Sequence, residues 1–359
     1  MKRLVYLDSL RGIAILGVVL IHVGQSIDHL PVLLKSFSNF GFRGVQLFFI
    51  VSALTLCIVT KPEKFDPASF YTRRFFRIAP MFYLAIVVYT LLAFQNVMQA
   101  SSIEIQPYDI VATTFFVHGF VPHSINTVVP GGWSIACEAI FYALFPLALR
   151  YVTNIRLAAV LLILSFAAAV GNKGFATLFL TEAQKAGMWG TFFHFNFLTN
   201  LPAFASGIFL YHLIKKWPDT LEKTRLGDLK TLVVLSALIA FSVFSAFIPA
   251  AQILVIPILA ALVYAAARWD SVLLVNPVLA FLGEISFSLY LVHFIVIHFL
   301  EPFIPGALPP YMQLIILFLV VLVVGSLLST LTYRYIEQPM VKLGRRLSNS
   351  IGQSLAKST

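Results

Sequence analysis

Residues Tyr6–Gly24 read YLDSLRGIAILGVVLIHVG. From Leu10 onward the stretch is apolar enough for a membrane-crossing helix, which needs about 20 mainly apolar residues. Yet Arg11 opens the apolar run and His22 sits well inside it. An ionisable side chain in a crossing is costly and marks a functional candidate by default. The fold turns on whether this stretch is one anchor on a soluble protein or the first of many crossings.

The rest of the chain answers for many crossings. Of 359 residues, 59% are hydrophobic and 11% charged, with a mean hydropathy of +0.90. A soluble domain carries about a quarter charged residues. The expected fold is therefore an all-α polytopic membrane protein with about ten transmembrane helices. Apolar runs place them near 10–28, 41–60, 78–96, 133–150, 156–171, 191–213, 231–248, 251–267, 281–300 and 312–335. The run 107–120 is too short to cross and is expected to be re-entrant or interfacial. A single domain over 1–345 and a disordered, polar, cytoplasmic tail over 346–359 complete the expected organisation. The chain begins Met-Lys-Arg, but no small-residue cleavage site follows the first apolar run, which reads as an uncleaved span.

Charge sets the expected orientation. The net charge of +10 points to cytoplasmic loops, and no nucleic acid is implied. With both termini cytoplasmic, 20 Lys and Arg fall in inside segments and 4 outside; Arg11, at the mouth of the first span, completes the 25. Cys57 and Cys137 lie in apolar segments, so neither a disulfide framework nor a metal site is expected.

Four polar elements stand out within the apolar runs. Arg11 and His22 are eleven residues apart, about 16.5 Å of rise and some 20° beyond three full turns, so they share one helix face. Asp8 is placed to pair with Arg11 at i,i+3. Arg73, Arg74 and Arg77, in FYTRRFFRIAPMFY (70–83), stand just before the expected third span. They suit either lipid headgroups or a phosphate-bearing ligand arriving from the cytoplasm. In VVPGGWSIACEAIFY (128–142), Trp133 is expected at the interface, and Ser134, Glu138 and Tyr142 follow one face at i,i+4 spacing. In GEISFSLYLVHFIVIH (283–298), Tyr290 and His293 are i,i+3 neighbours. The histidines at 29, 118, 123, 194, 212 and 298 receive no role. Buried ionisable groups on several helices suit either transport or catalysis. An internal repeat, common in secondary transporters, is not visible.

Taken in order, LDSLRGIAILGVVLIH, GVQLFFIVSALTL, YTRRFFRIAPMFY, GGWSIACEAIFY, FLGEISFSLYLVH and YRYIEQP resemble the membrane acyltransferase-3 family, bacterial multi-pass O-acyltransferases of surface sugars. The resemblance runs from residue 4 to about 340. It implies a ten-helix domain in the bacterial inner membrane that uses acyl-CoA, commonly acetyl-CoA, as donor. The implied acceptor is a hydroxyl of a cell-surface or lipid-linked glycan such as a lipopolysaccharide O-antigen. It carries catalytic roles onto Arg11, His22 and Glu138, CoA-phosphate binding onto Arg11, Arg73, Arg74 and Arg77, and supporting roles onto Trp133, Ser134, Tyr142, Tyr290 and His293. SALTL (52–56) replaces the family's usual Ser-Gly-Phe, Glu284 stands where Lys is common, and Gln46 where an acid is frequent. With no hydrolase-like domain appended, the expectation is a chain that completes transfer itself or passes the acyl group to a partner.

Within that resemblance His22 is expected to act as general base, since an imidazole titrates near neutrality. Glu138 is expected to orient or charge it. Arg11, too far along the helix to touch His22, is expected to hold the CoA end of the donor. Tyr290, His293 or backbone amides are expected to stabilise the oxyanion. The alternatives are a secondary transporter and a subunit that only shuttles acyl groups across the membrane.

Overall fold

The computed structural model describes residues 4–216, 225–244, 251–269 and 271–358. Among them the regular structure is entirely helical. The helices are α1 (Val5–Gln25), α2 (Val32–Phe40), α3 (Arg43–Val59), α4 (Pro67–Phe94), α5 (Pro107–Thr114), α6 (Gly132–Tyr151), α7 (Ile155–Phe179), α8 (Glu182–Ala186), α9 (Met188–Phe195), α10 (Phe197–Lys216), α11 (Arg225–Phe244), α12 (Ala251–Leu254), α13 (Ile256–Arg268), α14 (Pro277–Glu284), α15 (Ser286–Leu300), α16 (Pro310–Thr332) and α17 (Gln338–Ser358). Nine helical stretches among the described residues are long and apolar enough to cross a membrane. The expected crossing at 231–248 is absent from those nine. It coincides with α11 as far as Phe244, and 245–248 lie outside the described residues.

The helices gather into two compact units, each assembled from separate stretches of chain. The first takes Met1–Ile58, Asn154–Phe166 and Leu201–Ser329; the second takes Val59–Thr153, Ala167–Asn200 and Thr330–Thr359.

In the first unit α1 packs tightly on α14. A β-carbon on Gly12 would meet Leu279 O at 2.1 Å, and one on Gly283 would meet Asp8 O at 1.7 Å. Only glycine permits that backbone approach, the device that lets helices pack closely in lipid. The crossing expected at 281–300 is divided: α14 ends at Glu284, and α15 begins at Ser286, whose Oγ donates to Gly283 O at 2.8 Å.

In the second unit α4 begins well before the expected position 78. The side chain of Asp66 accepts from the amides of Ala68 and Ser69, and Pro67 occupies the first turn, where its missing N–H costs nothing. The hydrogen bond from Ser69 leads the causes that hold the Asp66 carboxyl below its ordinary range. Hydropathy marks where a helix meets lipid; the cap marks where it starts. The arginine cluster accordingly lies inside a 28-residue helix.

The run 107–120 forms α5 and a 3-10 turn at His118–Phe120, and it folds back along α4. Phe116 and His118 stack on Phe82, with ring centroids 5.4 and 5.9 Å away. Phe82 lies twelve residues, about 18 Å of rise, before the end of α4. Burial holds the His118 imidazole below its ordinary pKa, and its Nε2 donates to Gly132 O at 3.0 Å.

Over the stretch expected to be a polar tail, α17 (Gln338–Ser358) runs on from α16 and packs on α4. Gly344 sits against Phe76, and Ser69 Oγ donates to Ser348 O at 2.9 Å. Packing one face of a polar helix on a partner supplies the stability its composition lacks.

Candidate active site

The first unit holds Arg11, His22, Tyr290 and His293. Helix α1 is unbroken from Val5 to Gln25, so the axial separation of about 16.5 Å between Arg11 and His22 stands. The local pairing expected from i,i+3 spacing is present: Arg11 Nη1 donates to Asp8 Oδ1 at 3.1 Å, and Nη2 donates to Thr55 Oγ1 of α3 at 2.9 Å.

Near the other end of α1, His22 Nδ1 lies 2.9 Å from Gln25 Oε1. With the amide oxygen as acceptor, Nδ1 carries the proton and the lone pair falls on Nε2. The imidazole lies against His293 and Phe294 of α15, at centroid distances of 5.3 and 4.3 Å. His293 is fully buried; its Nδ1 donates to Leu289 O at 3.1 Å, and its Nε2 has no hydrogen-bond partner among the described residues. A buried polar atom left unsatisfied costs free energy and calls for an explanation. Tyr290 lies beside His293, at 5.9 Å between rings, and edge-on to Phe48. Two imidazoles and a phenol therefore meet, of which only the Tyr290–His293 proximity follows from sequence spacing.

The second unit holds the arginines and the Trp-Ser-Glu-Tyr element, and the three arginines differ. Arg73 Nη1 donates to Ser348 Oγ of α17. Arg77 Nη1 pairs with Glu337, which is 1% exposed, and Glu138, Tyr142 and Tyr333 also act electrostatically on Arg77. Arg74 lies over the rings of Tyr142 and Phe70, at 5.6 and 5.9 Å, and its buried Nε has no hydrogen-bond partner among the described residues. Glu337 sits in a π-helical turn, Tyr333–Glu337, between α16 and α17. Such single turns re-aim side chains and are frequent at functional sites.

On α6, Gly131 adopts φ 75°, a left-handed conformation suited to glycine, and Ser134 Oγ donates to Gly131 O at 3.0 Å. Tyr142 OH donates to Glu138 Oε1, as their shared face suggests. Trp133 is buried and stacked on Phe195 of α9 at 4.5 Å. Among the described residues no group of three or more potential metal ligands occurs.

Sequence reasoning passed over Gln25 and Glu337. Gln25 was readable as an i,i+3 partner of His22. Glu337 was visible in YRYIEQP, but its partner lies 260 residues away.

With this geometry in view, the comparisons decide the family. Residues 4–334 match the acyltransferase-3 family model, described as an acyltransferase domain. The chain belongs to this family. Among similar family proteins, a Staphylococcus aureus strain COL protein named "Putative O-acetyltransferase" is 26% identical over 97% of this chain and 59% of its own length. O-acetyltransferase OatA of S. aureus strain NCTC 8325 is 24% identical over 94% of this chain and 57% of its own length. The chain thus spans less than two thirds of the length of these relatives. No solved structure matches it.

Proposed function

We propose that the chain is an integral-membrane O-acyltransferase. It moves an acyl group, most simply acetyl, from cytoplasmic acyl-CoA to a hydroxyl of a lipid-linked or surface glycan. The setting is the bacterial inner membrane, with both termini cytoplasmic. The observation that carries this reading is His22, an imidazole fixed at Nδ1 by Gln25 and backed by the buried His293. Membership of the acyltransferase family gives that imidazole a reaction.

In this reaction the acceptor hydroxyl oxygen attacks the thioester carbonyl carbon while His22 Nε2 takes the hydroxyl proton. Collapse of the tetrahedral intermediate breaks the C–S bond. The imidazolium then returns the proton to sulfur, releasing CoA as the thiol and leaving an oxygen ester. General-base help of this kind contributes about 10²–10⁴-fold. Gln25 takes the tautomer-setting role first given to Glu138, which bonds to Tyr142. Tyr290 is assigned to the developing oxyanion through its phenol O–H, and His293, held at Nδ1 by Leu289 O, is assigned to backing the His22 ring. The donor's phosphates are assigned to Arg74 first, because Arg77 is committed to Glu337 and Arg73 to Ser348. Arg11 is assigned to the donor as well, with Asp8 and Thr55 fixing its guanidinium.

The test uses purified protein in lipid nanodiscs, acetyl-CoA labelled in the acetyl group, and glycans isolated from cells lacking the gene. Label in ester linkage on the glycan is the expected result. Label retained on the chain alone would favour an acyl-shuttling subunit. Substrate flux in proteoliposomes without acyl-CoA would favour a transporter.

A further inference from the structure

The segment between α4 and α6 holds a cluster that the reaction above does not use. Asp109 is fully buried, and both its oxygens are engaged. Oδ2 accepts from the Gln106 amide at 2.8 Å, which closes the start of α5. Oδ1 accepts from Ser124 Oγ at 2.6 Å and from His123 Nδ1 at 2.9 Å. Capping the helix occupies one oxygen; the other fixes an imidazole fourteen residues along the chain. A neutral ring that donates its Nδ1–H to a carboxylate has its lone pair on Nε2. The His123 side chain is 26% exposed. Beside it stands Tyr108, 51% exposed, with ring centroids 5.4 Å apart. An open aromatic face next to an oriented hydrogen-bond acceptor has the chemistry of a pyranose site. The C–H face of the sugar lies on the phenol ring, and a sugar hydroxyl donates to the imidazole. Sites of this kind are mainly apolar or aromatic with few placed polar groups.

We propose that Tyr108 and His123 form a saccharide-binding subsite for the glycan acceptor, with Asp109 as the positioning residue that sets the His123 tautomer. The proposal rests on the reading of the chain as an O-acyltransferase. The place in the chain agrees: the segment follows the C-terminal end of α4, whereas Arg73, Arg74 and Arg77 lie in its N-terminal half. With the arginines facing the cytoplasm, the segment belongs to the outer side, where a surface glycan is met.

The test complements cells lacking the gene with full-length variants. It then measures O-acetyl groups on surface glycans by mass spectrometry. Membranes from the same cells are titrated with glycan from the deletion strain, and the purified variants are titrated with acetyl-CoA by calorimetry. Tyr108→Ala and His123→Ala are expected to raise the acceptor KM by about tenfold, with acetyl-CoA affinity and thermal midpoint unchanged; tenfold is a modest share of a binding free energy. Tyr108→Trp, which keeps an aromatic face, is expected to restore a KM near that of the wild type. Asp109→Asn is expected to behave as His123→Ala, but because it lies in the core the two exposed sites decide the matter. Wild-type acceptor KM in both alanine variants overturns the subsite while leaving the transferase reading intact. Failure of the wild-type chain itself to bind acetyl-CoA or O-acetylate any glycan sinks the transferase reading, and the subsite with it.

Discussion

The surroundings of His22 and those of Arg77 treat buried polarity in opposite ways. Around His22, among the described residues, the polar groups have capacity to spare: His293 Nε2 is buried without a hydrogen-bond partner, and His22 is held at Nδ1. Around Arg77 the charge is answered from within, by Glu337 and by the field of Glu138. Unfilled capacity suits a place where a substrate supplies the missing partner. Internal neutralisation suits a place whose shape must persist. The arginine cluster, uniform in sequence, is divided between two side chains tied to the C-terminal region, Arg73 to Ser348 and Arg77 to Glu337, and Arg74, which lies over the Tyr142 ring and is proposed to meet the donor.

The largest expected effect breaks the first half of that comparison. His22→Ala should lower transfer by about 10³-fold, within the usual range for a general base, with the protein still inserted and acetyl-CoA still bound. Glycan labelling in nanodiscs measures it, and full activity would remove His22 from the chemistry. Next, Glu337→Ala should destabilise the second unit by about 3 kcal/mol, because it removes the carboxylate paired with a partly buried guanidinium. The double variant Arg77→Met with Glu337→Leu should recover most of that loss. Denaturant titration in detergent reads both, and equal losses in the single and double variants would mean the pair contributes little.

Smaller effects sharpen the division. Arg74→Ala should weaken acetyl-CoA binding by about tenfold, as expected for a hydrogen bond to a charged group, with the thermal midpoint unmoved. An unchanged calorimetric Kd would return the donor's phosphates to another cation. The smallest effect lies at the start of α4. Asp66→Ala should cost about 1 kcal/mol through loss of the cap. Because the folded-state pKa of Asp66 is depressed, the cap contributes fully above the unfolded value of about 3.9. It is lost as pH falls through the lower folded value. Denaturant midpoints taken from pH 6 downward should therefore converge for wild type and Asp66→Ala.

What the sequence disclosed followed distance along the chain. The Asp8–Arg11 bridge, the Glu138–Tyr142 bond and the Tyr290–His293 proximity are all within one or two helical turns, and spacing alone announces them. Membrane character and most crossings were equally legible, because bilayer thickness imposes length and composition on each helix. Pairs such as His22 with His293 and Arg77 with Glu337 depend on which helices become neighbours, and periodicity carries no such information. Trp133 shows the same limit: its stack depends on Phe195 from another helix. The onset of α4 was missed for a different reason, since a polar first third hides a helix from a search for apolar runs.

The glycine seam between α1 and α14 bears on the height of His22 in the membrane. At Gly12 and Gly283 backbone meets backbone, with no side chain between them to act as a compressible spacer. A rod held without a spacer cannot slide by a fraction of a turn. His22, ten residues and about 15 Å beyond Gly12, inherits its depth from that contact. The seam works as a datum, and the His22 imidazole is set out from it as a mason sets a course from a fixed line.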